Sequence, residues 1–495
     1  MAALLVFFSL SLILLVVLFH KRKSSLSSRK RPPPSPLSLP VIGHFHLIGA
    51  LSHRSFHSLS KRYGEVMLLH FGSAPVLVAS SAAAAREIMK NQDPIFASRP
   101  RLSISDRLLY SGRDVAFAAY GEHWRHARSM CVLQMLSAKR VQSFRRIREE
   151  ETSAMIEKIR RSQPSAVNLS EMFMALTNGV VHRAALGRKD GGGDDFNRTL
   201  NKFIELLGSF NVGDYVPWLA WINRINGVDA EVEKVFKKMD GFMEGILQEY
   251  RKKKVGDDAT TNFVDTLLQF QRESKDTNPV EDDVIKALIL DMFVGGTDTT
   301  FAALEWTMAE LIRNPRTLKA LQNEVREVSR NRGGITEDDV DKMPYLRAVS
   351  KEILRLRPPF PSLVPRELTQ DANLLGYDVP RGTLVLVNNW TVSRDPSLWE
   401  NPDEFRPERF LETSIDYKGL HFEMLPFGSG RRGCPGITFA MSLYELALSK
   451  LVNEFDFRLA MANGDRVEDL DMTEAPGIVV HKKSPLLVLA TPRQS

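Results

Sequence analysis

Apolar residues return every three or four positions over Ala138 to Arg161, Asn201 to Leu207, Ala230 to Tyr250, Val284 to Ile312, Pro315 to Ser329, Pro344 to Leu356 and Ile437 to Phe455. That period predicts helices. Strand-like runs are few and short: Val66 to Phe71, Pro75 to Ala79, Leu384 to Asn388 and Leu486 to Ala490, all rich in branched and apolar residues. The pattern predicts a mainly α body with small β-sheets, and length alone would suggest two or three domains. Gly191-Gly192-Gly193 and the charged stretch Lys252 to Asp258 carry no apolar period and read as exposed loops. No repeat of solenoid length is present.

The helix from about Asp282 to Arg313 is long enough to cross the whole body at ~1.5 Å per residue. Two acids suit its positive N-terminal end, and Asn314-Pro315 ends it. Its middle, Gly295-Gly296-Thr297-Asp298-Thr299-Thr300, is a run of poor helix formers. Such a run allows a bend or an inserted water; close packing against another helix would also account for it.

Ahead of the body, Ala2 to Phe19 is apolar apart from Ser9 and Ser11, just long enough to span a bilayer as a helix. Lys21, Arg22, Lys23, Arg29, Lys30 and Arg31 follow it, whereas a cleaved signal peptide would place its charge first. Residues 1–20 therefore read as a single-pass anchor, with the body in the cytosol by the positive-inside rule. Residues 21–40 read as a basic, proline-rich hinge, in which Pro32-Pro33-Pro34-Ser35-Pro36 should be a stiff spacer. Composition changes this picture in one respect. The net charge of +6 equals the surplus of those six cations, because residues 1–40 contain no acid, so the body is neutral. The cations suit anionic lipid headgroups, and a nucleic-acid groove is excluded. Two cysteines, Cys131 and Cys434, at no paired spacing fit a reducing compartment and neither a zinc knuckle nor a disulfide scaffold.

The most informative stretch is Phe427-Gly428-Ser429-Gly430-Arg431-Arg432-Gly433-Cys434-Pro435-Gly436. Glycines before a cysteine let the backbone fold tightly and aim N–H groups at sulfur, and an apolar helix beginning near Ile437 adds its positive end. Such a sulfur can bind a metal. The same residues could form an anion-binding turn with an incidental cysteine, or a nucleophile whose histidine partner is brought close only by folding.

In this decapeptide Phe427, Gly430, Arg432, Cys434 and Gly436 match the haem-binding signature of cytochromes P450, and the chain resembles that family over essentially its whole length. The resemblance implies a single P450 fold over 41–495, haem b (iron protoporphyrin IX), and Cys434 as the iron ligand, within a cofactor-binding set of Trp124, Arg128, Arg366, Phe427, Arg432, Cys434 and Gly436. Trp124 and Arg128 match the family's Trp-x-x-x-Arg helix, and Arg128, Arg366 and Arg432 are implied partners of the haem propionates, for which guanidinium is suited. Glu352, Arg355 and Arg409 match a buried ionic triad that supports the core. Asp298 and Thr299 match the acid–alcohol pair that delivers protons during O2 activation, and are the implied catalytic residues. Cys131 is expected to be an inert thiol.

The group most similar is the large set of plant microsomal P450s of specialised metabolism, judged from Arg431 to Gly436, Pro365-Arg366-Glu367 and Asp471-Met472-Thr473-Glu474. Three departures stand out: Gly433 replaces a usual aliphatic residue, Arg357 a common histidine and Gly295 a common alanine. The resemblance implies monooxygenation of a small hydrophobic metabolite, a terpenoid or a phenylpropanoid-type aromatic, at the endoplasmic reticulum membrane. With no Gly-x-Gly-x-x-Gly after a predicted strand and no phosphate loop, electrons should come from a separate NADPH–cytochrome P450 reductase. Substrate contacts carried over from the family are the loop Leu102 to Phe117, Phe210, Met292, Phe293, Ser362-Leu363 and Pro476 to Ile478. A P450 that rearranges or dehydrates without O2, and a haem protein without catalytic activity, are the rival readings; the Asp298-Thr299 pair argues against the first.

Overall fold

A computed structural model of the protein describes residues 31–188, 193–252, 262–276, 279–330, 334–460 and 469–493. The apolar run Ala2 to Phe19, the basic cluster up to Lys30, Gly191-Gly192 and residues 253–258 lie outside them. Helices build the body, as the apolar period predicts. Val228–Lys252, Asp282–Arg313, Pro315–Ser329, Pro344–Leu356 and Ile437–Glu454 fall within two residues of the expected bounds. Gly193, expected in a loop, instead opens the helix Gly193–Leu207. The single helix expected from Ala138 to Arg161 is broken at Phe144 into Ala138–Ser143 and Arg145–Arg161.

Among the described residues there are nine strands, β1 (Val66–Phe71), β2 (Ala74–Ala79), β3 (Val167–Asn168), β4 (Arg366–Glu367), β5 (Ala372–Leu374), β6 (Tyr377–Val379), β7 (Leu384–Val387), β8 (Phe455–Leu459) and β9 (Leu487–Pro492). They form three small sheets among the described residues, in the orders β1-β2-β7-β4, β3-β9-β8 and β5-β6. In the first, β1 and β2 pair antiparallel with Val66 opposite Ala79, and β7 joins β2 in parallel. This sheet delivers Arg366, on its edge strand β4, to the interior.

The Asp282–Arg313 helix is the axis of the core and lies along the helix Leu169–Leu186. It is the one described helix long and apolar enough to cross a membrane, yet most of it is buried inside the protein, as a core helix is. Its C-terminal half is tied by charge to the chain's far ends. Arg357 bonds Glu310 (3.0 Å) and approaches Glu474 (3.5 Å), which also accepts from Arg54 (2.8 and 2.9 Å) and lies 3.0 Å from the ring of His53. These donors hold the Glu474 carboxyl well below the usual range despite its burial. Arg357 thus bridges two acids, a role for which its five N–H donors suit it better than a histidine.

The triad closes as the resemblance implies. Arg355 bonds both oxygens of Glu352 (2.7 and 2.9 Å) and Arg409 adds a third bond (3.2 Å), all three side chains being buried. Removing one member of such a buried cluster leaves an uncompensated charge at a cost of about 3–5 kcal/mol. The proline segment is extended, as its prolines dictate, but not a free spacer: Leu68 donates to the Pro34 carbonyl (2.9 Å), Arg31 and Asp378 exchange two bonds, and Pro33 and Pro36 are buried. Prolines keep their carbonyls, so such a segment can still dock on a strand.

Candidate active site

Cys434 is positioned by a tight loop that only glycines permit. Gly428 and Gly430 have φ of 66° and 68°, and a Cβ on Gly430 would lie 2.2 Å from the Met89 carbonyl oxygen. The Cys434 N–H donates to the Phe427 carbonyl (2.9 Å) and the Gly436 N–H donates to Sγ (3.3 Å), just where the helix Ile437–Glu454 begins. Burial pushes the thiol's pKa up, while the Gly436 N–H and the Arg128 charge pull it back. The sulfur opens on an interior cavity of about 270 Å³.

All seven cofactor-binding residues expected from the sequence line that one cavity, together with Arg99, which sequence reasoning missed. Arg432 stacks on the Trp124 ring at 4.2 Å and donates to the carbonyls of Ala97 (2.6 Å), Val115 (3.2 Å) and Ala118 (2.6 Å). Arg128 donates to Gly433 (2.6 Å), and Arg99 to Ala116 (3.0 Å), Val364 (2.6 Å) and Pro365 (2.7 Å). Arg366 pairs with Asp93 at 3.2 Å. The indole N–H of Trp124 donates to the Val115 carbonyl (3.0 Å), so in this structure the ring supports Arg432 and the loop above it.

Burial lowers the pKa of all four guanidinium groups, Arg432 to about 9. Among the described residues only Arg366 of the four has an ion-pair partner. A cluster of desolvated cations held by neutral carbonyls is costly unless an anion joins it. The cavity therefore offers a thiol, largely apolar walls and surplus positive charge, a donor set that fits an iron porphyrin bearing two carboxylates.

The long helix forms another wall through Asp291, Met292, Gly295, Gly296, Thr299, Thr300 and Ala303. At ~100° per residue these positions form one stripe centred near Thr299. Thr299 donates from Oγ1 to the Gly295 carbonyl (2.8 Å). Asp298 is not on the stripe. It sits about 100° round the helix, on the side where Phe301 meets the His481 ring at 5.7 Å and the Lys482 N–H donates to Glu305 (2.9 Å). Burial raises the Asp298 carboxyl's pKa and His481 opposes that shift. Cys131 also lines the cavity, its thiol pushed up to about 12 by burial, which fits an inert group.

Of the expected substrate contacts, Val115, Ala116, Met292 and Leu363 line the cavity. Phe293 turns away to pack on His182 and Phe196 (4.9 and 5.2 Å), and Phe210 stacks on Tyr215 at the surface. Ser362 and Pro476 to Ile478 are off the wall. Besides Arg99, the sequence reading missed Asp291. Its signal was available: a lone acid within Leu288-Ile289-Leu290-Asp291-Met292-Phe293 must meet a donor if the helix is buried.

This fold, with a cysteine loop and an interrupted central helix enclosing a cationic, apolar cavity, defines a haem-thiolate oxidoreductase, and the chain belongs to the cytochrome P450 family, whose model matches residues 32–489. It is 87% identical to (+)-menthofuran synthase of Mentha piperita over 496 residues, covering the whole of both chains. Cytochrome P450 71A6 of Nepeta racemosa is 57% identical, over 93% of this chain and 94% of its own. Among solved structures, a zebrafish cytochrome P450 with abiraterone superposes with a TM-score of 0.75 at 25% identity, covering 90% of this chain and 100% of that one.

Proposed function

We propose that the protein inserts one oxygen atom of O2 into a cyclic monoterpene, drawing electrons from NADPH through a separate reductase, with Cys434 as the haem ligand. The observation that carries this reading is that Cys434, the buried Arg99, Arg366 and Arg432, the half-buried Arg128 and Thr299 line a single, largely apolar cavity. The substrate class rests on the 87% identity to a protein named for a monoterpene furan. Haem held by a thiolate supplies reductive activation of O2, because electron donation by the sulfur favours O–O cleavage.

The chain's own residues do the rest. Gly436 and the start of the Ile437–Glu454 helix stabilise the sulfur as an anion. Arg99, Arg128, Arg366 and Arg432 hold the porphyrin carboxylates, and Phe427 packs beside the ligand loop. Thr299 presents a hydroxyl on the cavity wall, and Asp298, whose carboxyl keeps its proton longer than an exposed aspartate, replenishes it from the adjoining flank of the helix. The apolar wall orients a small hydrocarbon skeleton and excludes water.

The test is turnover of a panel of cyclic C10 monoterpenes by the full chain in microsomes with reductase, beside the carbon monoxide difference spectrum of the reduced protein. We expect NADPH-dependent oxygenated product and a band near about 450 nm that vanishes in Cys434→Ala. A normal band with turnover only of phenylpropanoid aromatics would replace the substrate class; a folded protein without the band would remove the haem assignment.

We further propose that residues 1–20 anchor the protein in the endoplasmic reticulum membrane, that 21–40 lead out of it, and that 41–495 form the catalytic domain in the cytosol. Support comes from exposed apolar side chains. Leu37, Trp218, Trp221 and Ile225 are 93, 63, 56 and 77% exposed, and Phe45 packs on Phe210 and Tyr215, joining the two segments. Exposed tryptophans suit a bilayer interface. Deleting residues 1–30 should release much of the protein from microsomes with its haem spectrum intact, and undiminished membrane binding would assign anchoring to those exposed side chains alone.

A further inference from the structure

We infer that Asp291 is a positioning residue for oxidation: its carboxyl group holds the backbone of Val115 and Ala116 as one wall of the cavity and so sets how a small apolar substrate is presented. The inference rests on reading this cavity as the haem and substrate site.

Among the described residues Asp291 is the only acidic side chain on the cavity wall, one helical turn before Gly295. It accepts from the Val115 N–H at 2.7 Å and from the Ala116 N–H. The opposite edge of the same segment is held by cations and an indole. The Val115 carbonyl accepts from Trp124 (3.0 Å) and Arg432 (3.2 Å), that of Ala116 from Arg99 (3.0 Å), and that of Ala118 from Arg432 (2.6 Å). Phe117 donates to Asp114 at 2.6 Å.

The segment 114–118 therefore has two edges with different anchors. Its carbonyls are fixed by the groups that would hold the haem carboxylates; the Val115 and Ala116 N–H groups are fixed by the long helix. Val115 and Ala116 both contact the cavity, so losing the second anchor leaves this wall attached along one edge and free to shift over the substrate. No cation pairs with Asp291 among the described residues, and burial together with the neighbouring Asp114 pushes its carboxyl well above the ordinary carboxylate range. Forming an ion pair is thus not what keeps this acid in the core. Accepting two backbone N–H bonds is the role its surroundings leave it.

The experiment is hydrogen–deuterium exchange of the haem-loaded full chain, compared among wild type, Asp291→Ala and Asp291→Asn, with 4-phenylimidazole affinity and the carbon monoxide spectrum measured on each. Loss of the acceptor should raise exchange in the peptide covering residues 114–118 by about 10- to 100-fold in Asp291→Ala. Asp291→Asn keeps one acceptor oxygen and should fall between it and wild type. Affinity for 4-phenylimidazole, whose phenyl ring fills the cavity, should weaken in the same order while the band near about 450 nm persists. Unchanged exchange in both variants, or a rise spread along the whole long helix in Asp291→Asn, overturns the inference. A missing band in wild type would instead strike the haem reading, so the two failures are separable.

Discussion

Two walls of one cavity are rich in glycine for different reasons. In the cysteine loop, Gly428 and Gly430 occupy left-handed backbone, and Gly430 lies so close to the Met89 carbonyl that no side chain fits. In the long helix, Gly295 and Gly296 keep helical geometry; a Cβ on Gly295 would meet nothing within 4 Å, and one on Gly296 would meet side chains and no backbone, a Val181 methyl at 2.9 Å and the Phe439 ring at 4.0 Å. The loop's glycines are demanded by chain geometry, which fixes where the sulfur stands. The helix's glycines leave space beside a hydroxyl, which sets what fits next to it. One wall is therefore intolerant of change and the other adjustable.

The largest expected effect lies in the loop. Gly430→Ala forces a left-handed alanine, at about 1–2 kcal/mol, and drives a Cβ into backbone, so a total above about 3 kcal/mol is expected. Haem incorporation, read from the carbon monoxide spectrum, should collapse, and a normal spectrum would break the contrast between the walls. On the helix wall, Thr299→Ala should leave haem content and melting temperature nearly unchanged while product formed per NADPH falls about tenfold or more, since proton delivery is worth 10²–10⁴. Unaltered coupling would show that the hydroxyl is not the donor.

Asp298→Asn separates activity from stability on the same helix. Burial raises the Asp298 carboxyl's pKa in the folded protein, so its proton is held more tightly there than in the unfolded chain. The stability this group contributes is present below the ordinary aspartate pKa and is lost as pH rises through the folded value. Asparagine never ionises. The variant's melting temperature should therefore gain on wild type as pH is raised from about 4 towards 8, while its coupling falls. A variant destabilised equally at both pH values would show that the carboxylate carries no burial cost.

Much of this division was readable in the chain. The ligand loop has a dense residue pattern, and every cofactor-binding position named from it and its companions lines the cavity. The long helix announced itself by two acids in its first turn and a proline just past its end. The helix Leu169–Leu186 gave a weaker signal: Leu169, Phe173, Leu176 and Val180 keep helical spacing, but Met172, Val181, Ala185 and Leu186 are buried outside that stripe and blur the period. Arg99 was hidden for a related reason, because an arginine held by backbone carbonyls needs no partner residue at a recognisable spacing. Substrate contacts were the least legible. Whether Phe293 or Met292 meets the cavity depends on one residue of helix rotation, about 100°, which a local pattern of uniformly apolar residues does not specify.

Gly433 tests where intolerance in the loop ends. It stands next to the sulfur, and unlike Gly430 it has ordinary backbone angles, φ −58° and ψ 148°. A Cβ there would meet the Gly430 carbonyl oxygen at 3.2 Å, tight but relieved by a shift of a few tenths of an ångström. Two small effects oppose each other. Replacing glycine restricts the unfolded chain and stabilises by about 0.4–1 kcal/mol, and the close contact removes a similar amount. Gly433→Ala should therefore keep full haem content, an unmoved carbon monoxide band and a stability within about 1 kcal/mol of wild type, because the bonds from Arg128 to its carbonyl and from its N–H to Gly430 use backbone atoms that alanine retains. If haem were lost instead, closeness to the sulfur rather than backbone conformation would decide which loop glycines are required, and the distinction drawn between the two walls would have to be made on that ground.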